Sequence, residues 1–185
     1  MPDLLLGQVL TFDADPFEQG EAAARHWSRG GVLVDAGRIM AVGDGAGLHA
    51  RHPQARVTDY GRALISAGFV DAHAHYPQTA IIASWGKRLI DWLNGYTFPE
   101  EARFGDAAHA AQVAETYVSL ILAAGTTTAV SYCTIHPGSV DAFFTAAGRR
   151  GMRAVAGKTC MDRDTAPDYL RDTAHAAYDQ SKALI

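Results

Sequence analysis

From about Leu64 onward, short apolar runs alternate with segments of helical periodicity, and this alternation constrains the fold more than any other feature of the sequence. Apolar runs at 69–73, 126–132 and 153–158 are typical of buried strands. Segments at 106–124, 139–149 and 172–185 have the spacing of amphipathic helices. Strands that alternate with helices predict a parallel sheet or barrel.

The longest predicted helix, at 106–124, has apolar residues that recur with the helical period and so give it one apolar face. Those residues are Val113, Tyr117, Leu120, Ile121 and Ala124. Gly125 follows at the position where glycine commonly ends a helix. We therefore expect this helix to bury that face against the sheet.

The first 66 residues have a different pattern, which is typical of β structure. A strand is predicted over residues 4–12, and a β-hairpin with Gly37 near its tip joins apolar runs at 32–34 and 39–42. The glycine-rich stretch 43–47 is expected to be a loop, and a short strand is expected at 57–60. We therefore predict a β-rich domain over residues 1–66 and an α/β domain over 67–185.

Composition excludes several classes of function. The chain is 48% hydrophobic with a formal net charge of −4, so it has enough apolar residues for a core and lacks the basic excess that nucleic-acid binding needs. It has no apolar run of about 18 residues, and its first residues do not resemble a signal peptide. Two cysteines make no disulfide framework, so we expect a cytoplasmic protein with no membrane or nucleic-acid partner.

The residues most informative about chemistry are His73 and His75, which end the first predicted strand of the α/β region. Alternate residues of a strand share a face, so the two imidazoles are expected to project together and to suit one metal ion. Pro77 indicates that the strand ends here, at the carboxyl edge where barrel enzymes hold their active sites. Strict alternation puts Asp71 on the same face, either as a support for a ligand imidazole or as a structural carboxylate.

Neither the tryptophans nor the cysteines indicate a second site. Trp85 and Trp92 could stack on a planar ligand, but a role in the core of a helix or loop is the simpler interpretation. The Pro-Cys-x-x-Cys signature of the cytidine-deaminase type of zinc site is absent from the sequence.

Segment 68–75, Gly-Phe-Val-Asp-Ala-His-Ala-His, resembles the signature of the amidohydrolase superfamily, which comprises metal-dependent hydrolases. Further motifs resemble those of the branch of that superfamily that deaminates guanine. This resemblance extends from about Leu64 to the last residue. The motifs lie at 75–79, 91–94, 96–100, 125–128, 161–163, 166–170 and 180–182. Ala67, where that branch more often has proline, and Thr165, an extra residue, depart from the pattern without touching the metal residues.

The resemblance implies hydrolytic deamination of guanine to xanthine and ammonia by a zinc-activated water, with one zinc per complete subunit. It assigns His73 and His75 as zinc ligands and Gln78 as a residue that contacts the purine. It also implies a (β/α)8 metal-dependent hydrolase barrel preceded by part of a small β-sandwich built from both chain ends. A homodimer is expected by resemblance only.

The length of the chain limits how much of that barrel it can form. Residues 67–185 have room for about three or four strand–helix units of about 30 residues each, whereas a barrel needs eight. We therefore expect the N-terminal portion of such an enzyme, an incomplete barrel in which no catalytic acid–base residue can be assigned. The remaining metal ligands and the acid–base glutamate and aspartate are expected beyond Ile185.

Two other interpretations remain open at the level of sequence. The chain could belong to an amidohydrolase that acts on a different purine, a triazine or a cyclic amide. It could also belong to a catalytically silent relative that serves as a scaffold, although the retained His-x-His pair argues against that.

Overall fold

A computed structural model of the chain describes residues 1–86, 88–163 and 166–185. The chain divides into two compact units, Met1–Ala67 and Gly68–Ile185. Thr165, which the motif comparison marks as an extra residue, lies outside the described residues. None of the helices in these described ranges is long and apolar enough to cross a membrane.

The first unit is built on one four-stranded sheet. Its elements are β1 (Asp3–Phe12), α1 (Pro16–Gln19), a 3₁₀ turn (Gly20–Ala23), β2 (Ala24–Asp35), β3 (Arg38–Asp44), α2 (Gly45–Arg51) and β4 (Arg56–Ser66). The strand order is β3-β2-β1-β4. Strand β1 pairs antiparallel with β2 and parallel with β4, and β2 pairs antiparallel with β3.

The predicted hairpin is confirmed, and its turn chemistry is clear. Asp35 pairs with Arg38 across the β2–β3 ladder, which leaves a two-residue loop. Both loop residues have positive φ, 49° at Ala36 and 74° at Gly37. Positive φ at both central positions is what a type I′ turn requires, and glycine adopts it without steric cost.

The prediction of a loop at 43–47 is wrong, because α2 begins at Gly45. The Asp44 side chain accepts a hydrogen bond from the Gly47 N–H at 2.7 Å and so caps the helix. Leu48 is then buried in a core cluster with Leu4 and Leu33. A cap and one buried leucine outweigh the low helix propensity of the glycines. Strand β4 is also longer than the predicted 57–60, since it runs on to Ser66.

The second unit contains a three-stranded parallel sheet in the order β5-β6-β7, which confirms the three predicted strands. The strands are β5 (Phe69–His75), β6 (Thr126–Tyr132) and β7 (Arg153–Gly157). The helices are α3 (Leu89–Trp92), α4 (Phe98–Ala102), α5 (Ala107–Ala123), α6 (Pro137–Arg149) and α7 (Ala174–Ala183). Short 3₁₀ turns (Tyr76–Ile81, Arg103–Gly105, Asp168–Leu170) and a π-helical turn (Leu93–Thr97) complete it. The unit is therefore mixed α/β.

One face of this sheet packs against α5 and α6. Ala129 and Ser131 of β6 point into that interface and are buried, whereas Tyr132 and Val155 point the opposite way and are about half exposed, at 47% and 56%. The apolar face of α5 is rotated from the predicted stripe, because Leu120 is 51% exposed. Its buried residues are Ala110, Val113, Ala114, Tyr117 and Val118.

Gly125 ends α5 as predicted and also starts the sheet. It has φ +87°, and its N–H donates to the Leu122 carbonyl at 3.0 Å. Its own carbonyl accepts the Phe69 N–H at 2.8 Å. One glycine therefore fixes both the end of the helix and the first backbone contact of β5.

Candidate active site

A β-bulge near the end of β5 aims the two histidines. Asp71 is paired with Ala129 and Ala74 with Ser131, so three steps along β5 match two steps along β6. The extra residue in β5 lies at Ala72 and His73, and bulges of this kind commonly re-aim a side chain beside an active site. Their two-residue spacing keeps His73 and His75 on one face, and the bulge turns that face away from the helices. Their ring centroids lie 5.3 Å apart, with the planes inclined at 55°.

This spacing suits two ligands of one zinc ion. Imidazoles that bind one tetrahedral zinc through nitrogens about 2.1 Å away hold their ring centres about 5 Å apart. The measured 5.3 Å between the His73 and His75 rings fits that arrangement. In the part of the chain that the structure describes, no group of three or more His, Cys, Asp or Glu side chains converges on a metal position. Among the described residues, the candidate ligands at this position are therefore the two imidazoles.

Tyr132 packs against both imidazoles. Its ring stacks on His75 with centroids 4.9 Å apart and an interplanar angle of 19°, and it lies 5.4 Å from the His73 ring. No role was predicted for Tyr132 beyond its place in a strand. Its position in the sequence could have indicated this contact. Tyr132 is the last residue of β6, the parallel neighbour of β5, and parallel strands end at the same edge of a sheet.

Burial affects the protonation of His75. Desolvation lowers the pKa of this imidazole below its usual value, and the nearby His73 charge lowers it further. A lower pKa favours the neutral ring, which is the form that binds a metal. His75 is therefore suited to act as a ligand at neutral pH.

The prediction that Asp71 shares a face with the two histidines is wrong. The bulge separates them, and Asp71 is paired with Ala129, which is buried on the side of the helices. Its carboxylate accepts the His73 backbone N–H at 3.1 Å, and its charge, after burial, helps to raise the pKa of Tyr117 on α5 to about 12. Asp71 thus contacts the backbone of the strand rather than an imidazole.

Tyr76 anchors the loop that follows the pair. It is fully buried, and its hydroxyl donates to the Ser139 carbonyl at 2.6 Å. Its backbone N–H donates to the Ser131 Oγ at 3.1 Å, and its ring stacks on Phe143 with centroids 5.2 Å apart. The chain leaves the strand at Tyr76, as Pro77 predicted, and turns through a 3₁₀ segment that carries Gln78.

Gln78 and the two histidines line the same cavity, of about 310 Å³. Gln78 is half-buried, and its Nε2 donates a hydrogen bond to Glu101 Oε1 at 3.3 Å. Trp92 also lines this cavity, whereas Trp85 is 71% exposed, so the expected core position of Trp85 is wrong. The structure thus brings together His73, His75 and Gln78, the three residues to which the resemblance assigned metal and purine contacts.

Comparison with known proteins identifies the family. The model of the Amidohydrolase family matches residues 64–185, and that of a bacterial imidazolonepropionase-like composite domain matches residues 30–55. The first match spans most of the chain, so the chain belongs to the amidohydrolase family.

Within that family the similarity is to guanine deaminases, which confirms the resemblance that the motifs indicated. The chain is 43% identical over 177 residues to guanine deaminase of Escherichia coli, and the match covers 95% of this chain and 40% of that protein. The E. coli enzyme structure matches with a TM-score of 0.88 at 41% identity, covering 99% of this chain and 43% of the other.

Two further guanine deaminase structures share the fold. The Bradyrhizobium japonicum structure matches with a TM-score of 0.91 and 34% identity, over 100% of this chain and 40% of that one. A C. acetobutylicum guanine deaminase with guanine bound in its active site matches with a TM-score of 0.82 and 26% identity. The match covers 100% of this chain and 42% of that one. The chain therefore spans about two fifths of the length of these relatives.

Proposed function

We propose that the protein to which these residues belong catalyses hydrolytic deamination of guanine, in which guanine and water give xanthine and ammonia. The observation that carries the proposal is the single cavity lined by His73, His75 and Gln78. The similarity to guanine deaminases along nearly the whole chain supports guanine as the substrate.

His73 and His75 would hold one zinc ion through neutral imidazole nitrogens. When bound, zinc supplies an activated water for attack on the ring carbon that carries the amino group. Tyr132 packs on both rings and limits their rotation, and the bulge in β5 holds their backbone in place. These contacts would thus hold the two ligand side chains in place beside the cavity.

Gln78 would contact the purine beside the metal. A glutamine amide offers both a donor and an acceptor, which suits the edge of a purine base. The side chain lies in the same cavity as the histidines, at the end of a loop that Tyr76 anchors in the core. Its role is to orient the substrate so that the amino-bearing carbon faces the metal.

The remaining architecture is proposed on the same basis. Residues 67–185 would form the first strand–helix units of a (β/α)8 barrel, which the parallel β5-β6-β7 sheet with α5 and α6 on one face supports. Residues 1–66 would contribute to a composite β-sandwich, as the composite-domain match at 30–55 suggests. The other zinc ligands and the acid–base residues would then lie outside these 185 residues, in a cytoplasmic homodimer.

The test is turnover by the full-length, zinc-loaded protein that contains this chain. We expect equal amounts of xanthine and ammonia from guanine, and no comparable turnover of adenine, hydantoin or a chlorinated triazine. The isolated 185-residue chain should neither deaminate guanine nor hold zinc tightly, because it supplies two of the four ligands. Preferred turnover of another substrate in the panel would contradict the proposal, as would zinc binding without turnover of any of them.

The metal assignment has its own test. In the full-length protein, His73→Ala should remove most bound zinc, because a tetrahedral site loses one of its protein ligands. Metal content after desalting measures this, with His49→Ala as a control, since His49 is exposed on α2 in the first unit. Full zinc occupancy in His73→Ala would show that the metal lies elsewhere.

A further inference from the structure

Two adjacent glutamates of α4, Glu100 and Glu101, are both buried, which is unusual for carboxylates. Glu100 has the partners expected of a buried charge: the Arg103 guanidinium at 2.7 Å and His109 Nε2 at 2.9 Å. These contacts tie α4 to the turn and helix that follow it. Glu100 therefore has a sufficient structural explanation.

Glu101 has a different environment. It is only 7% exposed, and the hydrogen bond that the structure gives its side chain comes from Gln78 Nε2, at 3.3 Å. Burial raises the pKa of this carboxyl group, and the Gln78 hydrogen bond opposes that rise. A buried carboxylate costs free energy unless it is well paired, and a neutral amide is a modest partner. Stability alone thus gives a poor account of Glu101.

The contact determines which way the Gln78 amide faces. An ionised carboxylate can only accept hydrogen bonds, so Gln78 must turn its NH₂ group towards Glu101. The amide oxygen and the second N–H of Gln78 are then left for the cavity that His73 and His75 also line. With a neutral partner that both donates and accepts, the amide could flip and present the opposite pattern.

We infer that Glu101 is a positioning residue that fixes the orientation of the Gln78 amide, and so sets the donor and acceptor pattern that the purine meets. This inference rests on the proposed function, because it takes Gln78 to contact the substrate. Glu101 itself acts through Gln78 and does not contact the reacting atoms. Its effect should therefore appear in substrate binding and should depend on the presence of Gln78.

The experiment is a double-mutant cycle in the full-length, zinc-loaded protein, with KM and kcat for guanine measured for each variant. Glu101→Ala should raise KM up to about 10-fold, since the Gln78 amide is then unrestrained and must be ordered when guanine binds, and should change kcat little. Gln78→Ala should raise KM at least as much. In the Gln78→Ala background, Glu101→Ala should change KM less than about twofold, because the residue through which it acts is gone.

Two further variants separate positioning from folding. Glu101→Gln keeps the volume and an accepting oxygen but allows the Gln78 amide to flip, so its KM should rise about threefold and only when Gln78 is present. Glu100→Gln is the matched control, since it neutralises the neighbouring buried carboxylate. That control should lower thermal stability and leave KM for guanine unchanged. If Glu101→Ala does not fold, Glu101→Gln completes the cycle.

The outcomes distinguish this inference from the proposed function. A wild-type protein that binds zinc but does not turn over guanine refutes both. A second outcome refutes only the role of Glu101. It is turnover of guanine by the wild type with increases in KM from Gln78→Ala and Glu101→Ala that multiply in the double mutant. An unchanged KM in Glu101→Ala has the same consequence.

Discussion

Replacing Tyr76 by phenylalanine tests the anchor of the loop that carries Gln78. The change keeps the ring and its stacking on Phe143 but removes the hydroxyl that donates to the Ser139 carbonyl at 2.6 Å. Tyr76 is fully buried, so the lost bond is not exchanged for one to bulk solvent, and burial keeps the hydroxyl protonated by raising its pKa well above the usual value. The Ser139 carbonyl is left short of one donor in a buried position.

We expect Tyr76→Phe to lower the free energy of unfolding by about 1–2 kcal/mol, the cost of one buried hydrogen bond with part of its desolvation penalty. That corresponds to a fall in Tm of about 2–8 °C for a domain of this size. Urea denaturation followed by circular dichroism measures the change. Tyr178→Phe is the control, because Tyr178 is 64% exposed on α7 and should stay within about 0.5 kcal/mol of the wild type.

Either of two results would refute this reasoning. A loss for Tyr76→Phe as small as that of Tyr178→Phe would mean that the hydroxyl makes no buried bond to Ser139. A loss above about 4 kcal/mol, the range of an aromatic-to-alanine change, would mean that the ring had moved and that packing, not the hydroxyl, holds the loop.

Two more stability predictions concern a buried ion pair and two partly desolvated histidines. Lys158 and Asp172 form an ion pair with side chains 0% and 7% exposed, so Lys158→Met should cost about 3–5 kcal/mol of unfolding free energy, and Lys158→Met/Asp172→Leu should recover most of it. Full stability of Lys158→Met would contradict the pairing. Burial lowers the pKa of both His75 and His136, with smaller effects from the charges of His73 and Lys158 respectively. Because the unfolded chain then binds more protons, this contribution to stability is present above about pH 6.5 and is lost as the pH falls through the folded pKa values. Urea midpoints should therefore decrease from about pH 7.5 to about pH 5, and the decrease should be smaller in His136→Gln. A decrease in that variant as large as that of the wild type would argue against the role of His136.

Much of the local structure could be predicted because it depends on neighbours in sequence. The Ala36-Gly37 turn, the end of α5 at Gly125 and the projection of His73 with His75 all follow from turn chemistry, capping or spacing. The similarity of the segment around His73 to a known signature added the candidate metal and substrate.

What could not be predicted depends on contacts between distant residues. The face of Asp71 is decided by the pairing of β5 with β6, more than 50 residues later, and strict alternation gives no sign of a bulge. The rotation of α5 that exposes Leu120 depends on α6, which packs beside it. The contact between Gln78 and Glu101 joins a loop to a short helix 23 residues away. Side-chain periodicity carries no information of this kind.

The bulge in β5 decides which face both histidines take, because one-to-one pairing continued from Asp71 would place His73 opposite Ser131, on the side of the helices. Substitution of Ala72, which is exposed, changes only local bulk, because the residue contributes backbone length to the strand. Its deletion would restore regular pairing with β6 but leave Ala74 opposite Ser131 and His75 opposite Tyr132, so both imidazoles would keep their face. In an alignment of distant homologues, a one-residue gap at Ala72 would therefore be compatible with a retained pair, whereas a gap between His73 and His75 would separate the two imidazoles.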